Sequence, residues 1–367
     1  MKKIFLLGAG IIIIGLGSWW FFFASTTAPV ELVSDSTTTS VADESANINP
    51  VTESRELAAG QLFMIGHWTN TPTASTTAMI AENGFGGVII MDAPDNPLLL
   101  KDWIAEWNSV SETPLLIAID QEGGPVTRLK GTDFIQTSQR EIADVTQAFD
   151  VGKIRGAQLA TLGITMNFAP VLDIAYDPTS FMYSRTFASS TNAPALAAAI
   201  TAGMKSEDII AVPKHFPGHD DTNEDSHYVL PAVQVSPSGL DAFTAPFRTL
   251  LSTNPPEAIM TAHVLFPQID DLPVTLSEFF LTDYLRGTLG YQNVIITDDM
   301  SMDAIDAEWD TTTATLMSLA AGADIVLFAA EPHRAAKALA AVQEAADSDT
   351  AFRQKILRSQ ERVEELR

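Results

Sequence analysis

The sequence predicts an α/β fold, a single (β/α)8 barrel of the TIM type, on two observations. Eight short apolar runs alternate with helix-like segments, at 61–66, 87–91, 115–120, 164–169, 209–215, 258–263, 294–298 and 324–328. Polar, potentially reactive side chains recur at or just past the C-terminal ends of these runs: His67, Asp92, Asp120, Asn167, Asp173, Lys214, His215, His263, Asp298 and Asp299. An open, doubly wound sheet shows the same alternation but would spread those residues along a line. A barrel gathers its strand ends at one mouth, where residues distant in sequence can surround one ligand.

The chain opens with Met1-Lys2-Lys3 and an uncharged apolar run of 21 residues over 4–24. That length crosses a bilayer core of about 30 Å. The run is longer than the apolar part of a secretory signal and ends in Trp19-Trp20-Phe21-Phe22-Phe23, side chains that favour the membrane interface. An uncleaved signal anchor is therefore expected over a cleaved signal peptide. Lysines on its N-terminal side place the remainder outside the cytoplasm, anchored to the membrane, or secreted if the segment is cleaved. Residues 25–51 are rich in Ser, Thr, Ala and acid with few large apolar side chains, so they read as a disordered linker. A single catalytic domain is expected over 52–367.

Within that domain, helices are expected at 98–110, 145–162, 193–205, 237–251, 277–289, 311–321 and 332–346. Composition narrows the function. With 21 basic against 46 acidic residues the net charge is -25, which repels phosphate backbones and argues against nucleic-acid binding. Cysteine is absent, which excludes disulfides, thiolate metal sites and a cysteine nucleophile.

Chemistry concentrates after the fifth run, in Lys214-His215-Phe216-Pro217-Gly218-His219 and the loop to His227. This short stretch holds three of the six histidines. Strand residues alternate faces, so of Lys214 and His215 one should face inward unless a bulge turns both to the mouth. Asp225-Ser226-His227 sets a carboxylate two residues from an imidazole, a spacing at which it can orient the ring and stabilise its charged form for acid/base work. Asp298 ends the apolar run Val294-Ile295-Ile296-Thr297 and is either a nucleophile or a helix N-cap, a role Asp299 fits equally. In Asp120-Gln121-Glu122-Gly123-Gly124-Pro125-Val126-Thr127-Arg128, paired glycines permit a tight turn between an acceptor and a bidentate donor. His215, His219, His227, His263 and Asp298 could alternatively surround a zinc ion, as in barrel hydrolases that use a metal.

In these motifs the sequence resembles the bacterial β-N-acetylglucosaminidases of glycoside hydrolase family 3. The most specific element is the Lys214 to His219 hexapeptide followed by Asp221-Thr222 and Asp225-Ser226-His227. The Asp120 segment, Tyr183-Ser184-Arg185-Thr186-Phe187 and Thr297-Asp298-Asp299-Met300-Ser301-Met302 match further family positions in order. The resemblance implies that Asp298 is the nucleophile of a retaining mechanism, forming a covalent glycosyl-enzyme. It makes His227 the acid/base, polarised by Asp225 on a loop expected to move, with Glu224 a lesser alternative. Asp120, Arg128, Arg185, Lys214 and His215 would bind the sugar.

The substrate implied is non-reducing β-linked N-acetylglucosamine in peptidoglycan-derived or other amino-sugar glycans, with no metal or organic cofactor and a monomeric enzyme. The sequence departs from the family at Pro125, where arginine is usual, and at Asp220, where glycine is usual. The rival readings are a β-glucosidase or β-xylosidase of the same fold, a zinc-dependent amidohydrolase, and a catalytically silent sugar-binding protein.

Overall fold

The computed structural model describes residues 56–219 and 224–367. The chain divides into Met1–Asn49 and Pro50–Arg367, and all of the described residues belong to the second unit. The expected anchor over 4–24 and the whole expected linker over 25–51 lie outside the described residues, as do Asp220, Asp221 and Thr222. Among the described residues no helix is long and apolar enough to cross a membrane.

Eight parallel strands form the centre: β1 (Phe63–His67), β2 (Gly87–Ile90), β3 (Leu116–Ile119), β4 (Met166–Asn167), β5 (Ile210–Ala211), β6 (Ala258–Met260), β7 (Val294–Asp299) and β8 (Ile325–Phe328). Their order is β5-β4-β3-β2-β1-β8-β7-β6. The two edge strands approach one another where Phe216 pairs in parallel with Thr261. There the Phe216 amide donates to the Met260 carbonyl at 2.7 Å and the Ala262 amide to the Phe216 carbonyl at 2.8 Å. The sheet is thus a nearly closed barrel, consistent with the TIM type, and the open-sheet alternative is set aside. Every residue of β1, β2, β3 and β8 is buried, as expected when side chains fill a parallel sheet on one face and helices cover the other.

The covering helices are α1 (Thr73–Asn83), α2 (Leu99–Ser109), α3 (Val145–Leu162), α4 (Ala193–Lys205), α5 (Ala245–Thr253), α6 (Phe279–Thr288), α7 (Thr311–Ala321), α8 (Ala335–Ser348) and α9 (Thr350–Glu365). Helix α1 is absent from the sequence expectations. Its first turns, Thr73-Ala74-Ser75-Thr76-Thr77, carry little amphipathic pattern and three β-branched threonines of low helix propensity. It nonetheless sits between Pro72 and Gly84, the latter at φ 64°, an ordinary start and stop. The helix expected at 237–251 breaks at Thr244 and restarts as α5 with Pro246 in its first turn, where a missing amide costs nothing. Helix α6 is widened by π-type bonding, with the Leu289 amide donating to the Tyr284 carbonyl at 2.8 Å.

Strand β5 is shorter than the predicted 209–215, since regular pairing stops at Ala211. Beyond it the chain makes only isolated contacts, Lys214 with Val171 and Phe216 with Thr261. Here the side chains leave strict alternation, and the site is built.

Candidate active site

One cleft of about 280 Å3 at the barrel mouth is lined by Asp120, Arg128, Arg185, Lys214, His215, His227 and Asp298 together with Glu122, Pro125 and His219. Seven of the eight site residues expected from sequence therefore meet in one place. The eighth, Asp225, reaches it through His227. A larger neighbouring groove, about 480 Å3, holds none of these charged residues, and the chemistry belongs to the smaller cleft.

One wall is an ionic cluster. The Lys214 ammonium donates to Asp120 Oδ1 at 2.7 Å and contacts Glu122 Oε1 at 2.7 Å. Arg128 Nη2 donates to Asp120 Oδ2 at 3.1 Å. Arg185 grips Glu122 with two bonds, Nε to Oε2 at 3.0 Å and Nη2 to Oε1 at 2.8 Å, the fork geometry that suits a carboxylate. Burial opposes the charge of Asp120, but the adjacent Lys214 and Arg128 outweigh it and hold the carboxyl well below its usual range. Glu122 is likewise lowered, burial being overcome by Arg185 and Lys214. Both carboxylates are ionised acceptors, and the cations they fix present further donors to the cleft.

Glu122 is not among the site residues expected from the sequence. It stood inside the Asp120 segment, but nothing local showed that a carboxylate beside two glycines is buried and paired with an arginine 63 positions away. The turn behind it requires glycine. Gly123 has φ 91°, and a Cβ there would lie 2.1 Å from the Thr137 carbonyl oxygen. Asn167 pins the same turn by accepting from the Gln121 amide and donating to its carbonyl.

The floor is formed by His215 and Asp298. Buried Asp173 accepts from His215 Nδ1 at 2.6 Å and from the His215 and His219 amides at 3.2 and 2.6 Å. His215 Nε2 then faces Asp298 Oδ2 at 3.9 Å. Asp173 is a second residue absent from the expected site; its place just past the fourth strand was visible, its partners were not. Lys214 and His215 both face the cleft, and the peptide bond between them is cis. Asp298 also accepts from the Asp299 amide at 2.8 Å. Burial would raise its carboxyl, yet His215, His263 and that amide outweigh burial and keep it below the usual carboxylate range.

The remaining expected group is the dyad on the loop. His227 Nδ1 donates to Asp225 Oδ1 at 2.6 Å, and the His227 amide donates to the same oxygen at 3.0 Å. Its ring is 59% exposed, so it stands at the open side of the cleft, opposite the buried floor.

Other strand-end candidates are structural. His67 is fully buried, with Nδ1 on Thr76 Oγ1 at 2.9 Å and the rings of Trp103 and Trp107 each 4.9 Å away. Asp92 binds the Thr69 amide and hydroxyl at 2.6 Å. Asp299 accepts the amides of Ser301, Ala329 and Ala330, tying the mouth ends of β7 and β8. His263 faces Thr275 Oγ1 at 2.8 Å and donates through Nε2 to the Asp299 carbonyl at 3.0 Å. That engagement takes it out of the alternative zinc set, and among the described residues no three His, Asp or Glu converge as metal ligands.

Comparison with known proteins agrees with this geometry. The Glycosyl hydrolase family 3 N terminal domain matches residues 55–366. A Beta-hexosaminidase of Methylobacillus flagellatus is 34% identical over 271 residues, covering 70% of this chain and 76% of that protein. The Beta-hexosaminidase of Neisseria meningitidis is 35% identical over 266 residues, 69% and 73% of the two chains. Among solved structures, a glycoside hydrolase family 3 beta-N-acetylglucosaminidase from a Paenibacillus species superposes with a TM-score of 0.76 at 33% identity, over 84% of this chain and 61% of that one. The Beta-N-acetylhexosaminidase of Beutenbergia cavernae gives 0.77 at 29%, over 84% and 96%. A barrel whose cleft carries a carboxylate floor, an ionic wall and a histidine–aspartate dyad, matched over nearly its whole described length, belongs to glycoside hydrolase family 3, and the chain is a glycoside hydrolase.

Proposed function

We propose that the protein is a retaining exo-β-N-acetylglucosaminidase, in which Asp298 is the nucleophile and the Asp225–His227 pair the acid/base. The observation that carries the reading is the presence of Asp298 and His227 in one cleft, the first half-buried and held below the usual carboxylate range, the second exposed and oriented by a carboxylate at 2.6 Å. The N-acetyl substrate is supported by relatives described as beta-hexosaminidases and beta-N-acetylglucosaminidases.

The sugar's hydroxyls would meet the ionic wall of Asp120, Arg128, Arg185 and Lys214, with His215 between wall and floor. Asp298 attacks the anomeric carbon while His227 gives its proton to the departing oxygen. The resulting ester between Asp298 and the sugar is then opened by water, whose proton His227 takes back. Retaining enzymes ordinarily use a second carboxylate for the proton; here an imidazole with its own carboxylate partner fills that role. Asp225 stabilises the charged ring, and burial at this carboxyl is overcome by the bonds from His227, keeping it below its usual range.

The basic start and apolar run over 4–24 favour an extracytoplasmic enzyme held at the membrane, acting on peptidoglycan-derived or related amino-sugar glycans as a monomer. The test uses aryl β-N-acetylglucosaminide and aryl β-glucoside with wild type, Asp298→Ala and His227→Ala. In wild type, release is expected from the N-acetyl substrate and not from the glucoside, with retained anomeric configuration by NMR. Asp298→Ala should lose at least about 10^4-fold in kcat. His227→Ala should lose about 10^2- to 10^4-fold on a poor leaving group and much less on a good one. Substantial turnover by Asp298→Ala, or an inverted product, would end this reading.

A further inference from the structure

One polar side chain of the cleft has no task in the arrangement described so far. His219 is 3% exposed, and both of its ring nitrogens lack a hydrogen-bond partner. Its position is nevertheless fixed. Its amide is held by Asp173 Oδ1 at 2.6 Å, and its ring packs edge-on against Phe181 with centroids 5.2 Å apart. A buried donor and acceptor left without partners is costly, and native proteins tolerate few of them. Other buried histidines have at least one ring partner: His67 bonds Thr76 through Nδ1 only, and His263 bonds Thr275 and Asp299 through both nitrogens.

His219 also borders the neighbouring groove of about 480 Å3, whose walls include Leu172, Ile174, Phe243 and Pro246. The charged groups that act on its ring, Asp173, His215, Asp298 and Arg185, are those of the catalytic cleft and its support. Burial pushes its pKa down to about 4, so at neutral pH it offers one N–H donor and one lone-pair acceptor and brings no positive charge beside the nucleophile. A hydroxyl or an acetamido group can meet both.

We propose that His219 is a substrate-contacting specificity residue, whose ring nitrogens hydrogen-bond a neutral polar substituent of the sugar held against Asp298. This rests on the glycosidase reading above and deepens it. The unliganded enzyme carries the cost of two buried, unpartnered nitrogens, and a sugar substituent that reaches them relieves it. A site that spends buried polar groups on a substituent discriminates strongly against ligands lacking it.

The experiment uses the full-length protein in detergent, as wild type, His219→Leu and His219→Gln. Three quantities are read: the thermal midpoint without ligand, the Kd for N-acetylglucosamine by calorimetry, and kcat/KM on the aryl N-acetylglucosaminide. In His219→Leu the unliganded midpoint should stay level or rise by a few degrees, because two unpartnered groups are removed. Affinity and kcat/KM should fall by about tenfold or more. His219→Gln restores a donor and an acceptor and should bind within severalfold of wild type.

A leucine variant that binds N-acetylglucosamine as tightly as wild type would overturn the proposal, as would one whose midpoint collapses. If only the glutamine variant folds, loss of its binding counts against the proposal as well. Failure of wild type itself to bind or cleave the N-acetyl sugar would instead reject the functional reading.

Discussion

At the scale of single residues, catalysis depends on which carboxylates keep their charge once buried. Asp173 lies outside the residues that line the cleft, yet it orients the His215 ring by accepting a hydrogen bond from Nδ1 at 2.6 Å and anchors two amides of the strand end. Burial opposes its charge and His215 outweighs that penalty, leaving the carboxyl below its usual range. Asp173→Asn keeps the shape while weakening a charge-assisted bond worth about 1.5 to 3 kcal/mol. The expected outcome is a fall of about tenfold to a hundredfold in kcat/KM. The pH profile should shift as well, because His215 faces Asp298 at 3.9 Å and is among the groups that lower that carboxyl. A loss of stability with an unmoved pH profile would show Asp173 to be scaffold only. The ionic wall was partly legible before the fold was known: Asp120, Arg128 and Lys214 stand at or just past strand ends, and Arg185 was legible from the family resemblance alone. Glu122 and Asp173 were not, because a carboxylate's role depends on the partner that burial forces on it, and those partners come from distant strands.

At the scale of elements, the helices that carry the barrel approach each other more closely than their composition suggests. Helices α3 and α4 meet at glycines. A Cβ on Gly203 would lie 2.2 Å from the Phe149 carbonyl oxygen, and one on Gly152 would lie 2.3 Å from the Ile200 carbonyl oxygen. Both obstacles are backbone, which cannot rotate away. Gly203→Ala improves intrinsic helix propensity by about 1 kcal/mol, but forcing the helices apart costs typically 1 to 3 kcal/mol. Overpacking should win, giving a net loss of up to about 2 kcal/mol in urea denaturation, with weakened activity because the loop after β4 carries Asp173. A stabilised variant would show that the helices can separate freely. Sequence periodicity found α3 and α4 with their bounds, and it missed α1, whose threonine-rich start is helical only because β1 and β2 must be joined by a crossover packed on the sheet.

At the scale of the whole molecule, two devices hold the barrel, one far from the cleft and one within it. Asp324, at the entry to β8, accepts from Arg286 Nη2 at 2.6 Å, Arg362 Nη1 at 3.0 Å, Ser359 Oγ at 2.7 Å and the Ile295 amide at 2.8 Å. It joins α6, α9 and β7 through one fully buried carboxylate. Asp324→Ala strands Arg286 without its partner, and a loss of about 3 to 5 kcal/mol is expected in chemical denaturation. A change under 1 kcal/mol would show that the arginines find solvent.

The second device is the cleft's own set of carboxylates. Asp120, Glu122 and Asp173 all have folded-state pKa values below their ordinary ones, so in acid the unfolded chain binds more protons than the native one. Their stabilisation is complete above the unfolded values near pH 4 and is lost as pH falls through the folded ones. His67 and His219, both lowered to about 4 by burial, act earlier. Their contribution is whole above about pH 6.5 and erodes as pH falls toward 4. Denaturant midpoints should therefore decline gently from pH 7 to 4 and steeply below. A midpoint constant from pH 7 to 5 would mean that the two histidines are solvated.

The sequence by itself determined the class of fold and where along the chain its eight strands lie, and it placed Asp225, His227 and Asp298 as candidates at strand ends and the loop between, since alternation of apolar runs and motif spacing are local properties of the chain. The barrel's near closure at Phe216 and Thr261, the pairing of Glu122 with Arg185, the hold of Asp173 on His215 and the unpartnered ring of His219 were decided only by tertiary structure. The physical reason is that each depends on which distant groups share a dehydrated space, and the cost of burying charge and polarity there, not any local pattern, selects the partners.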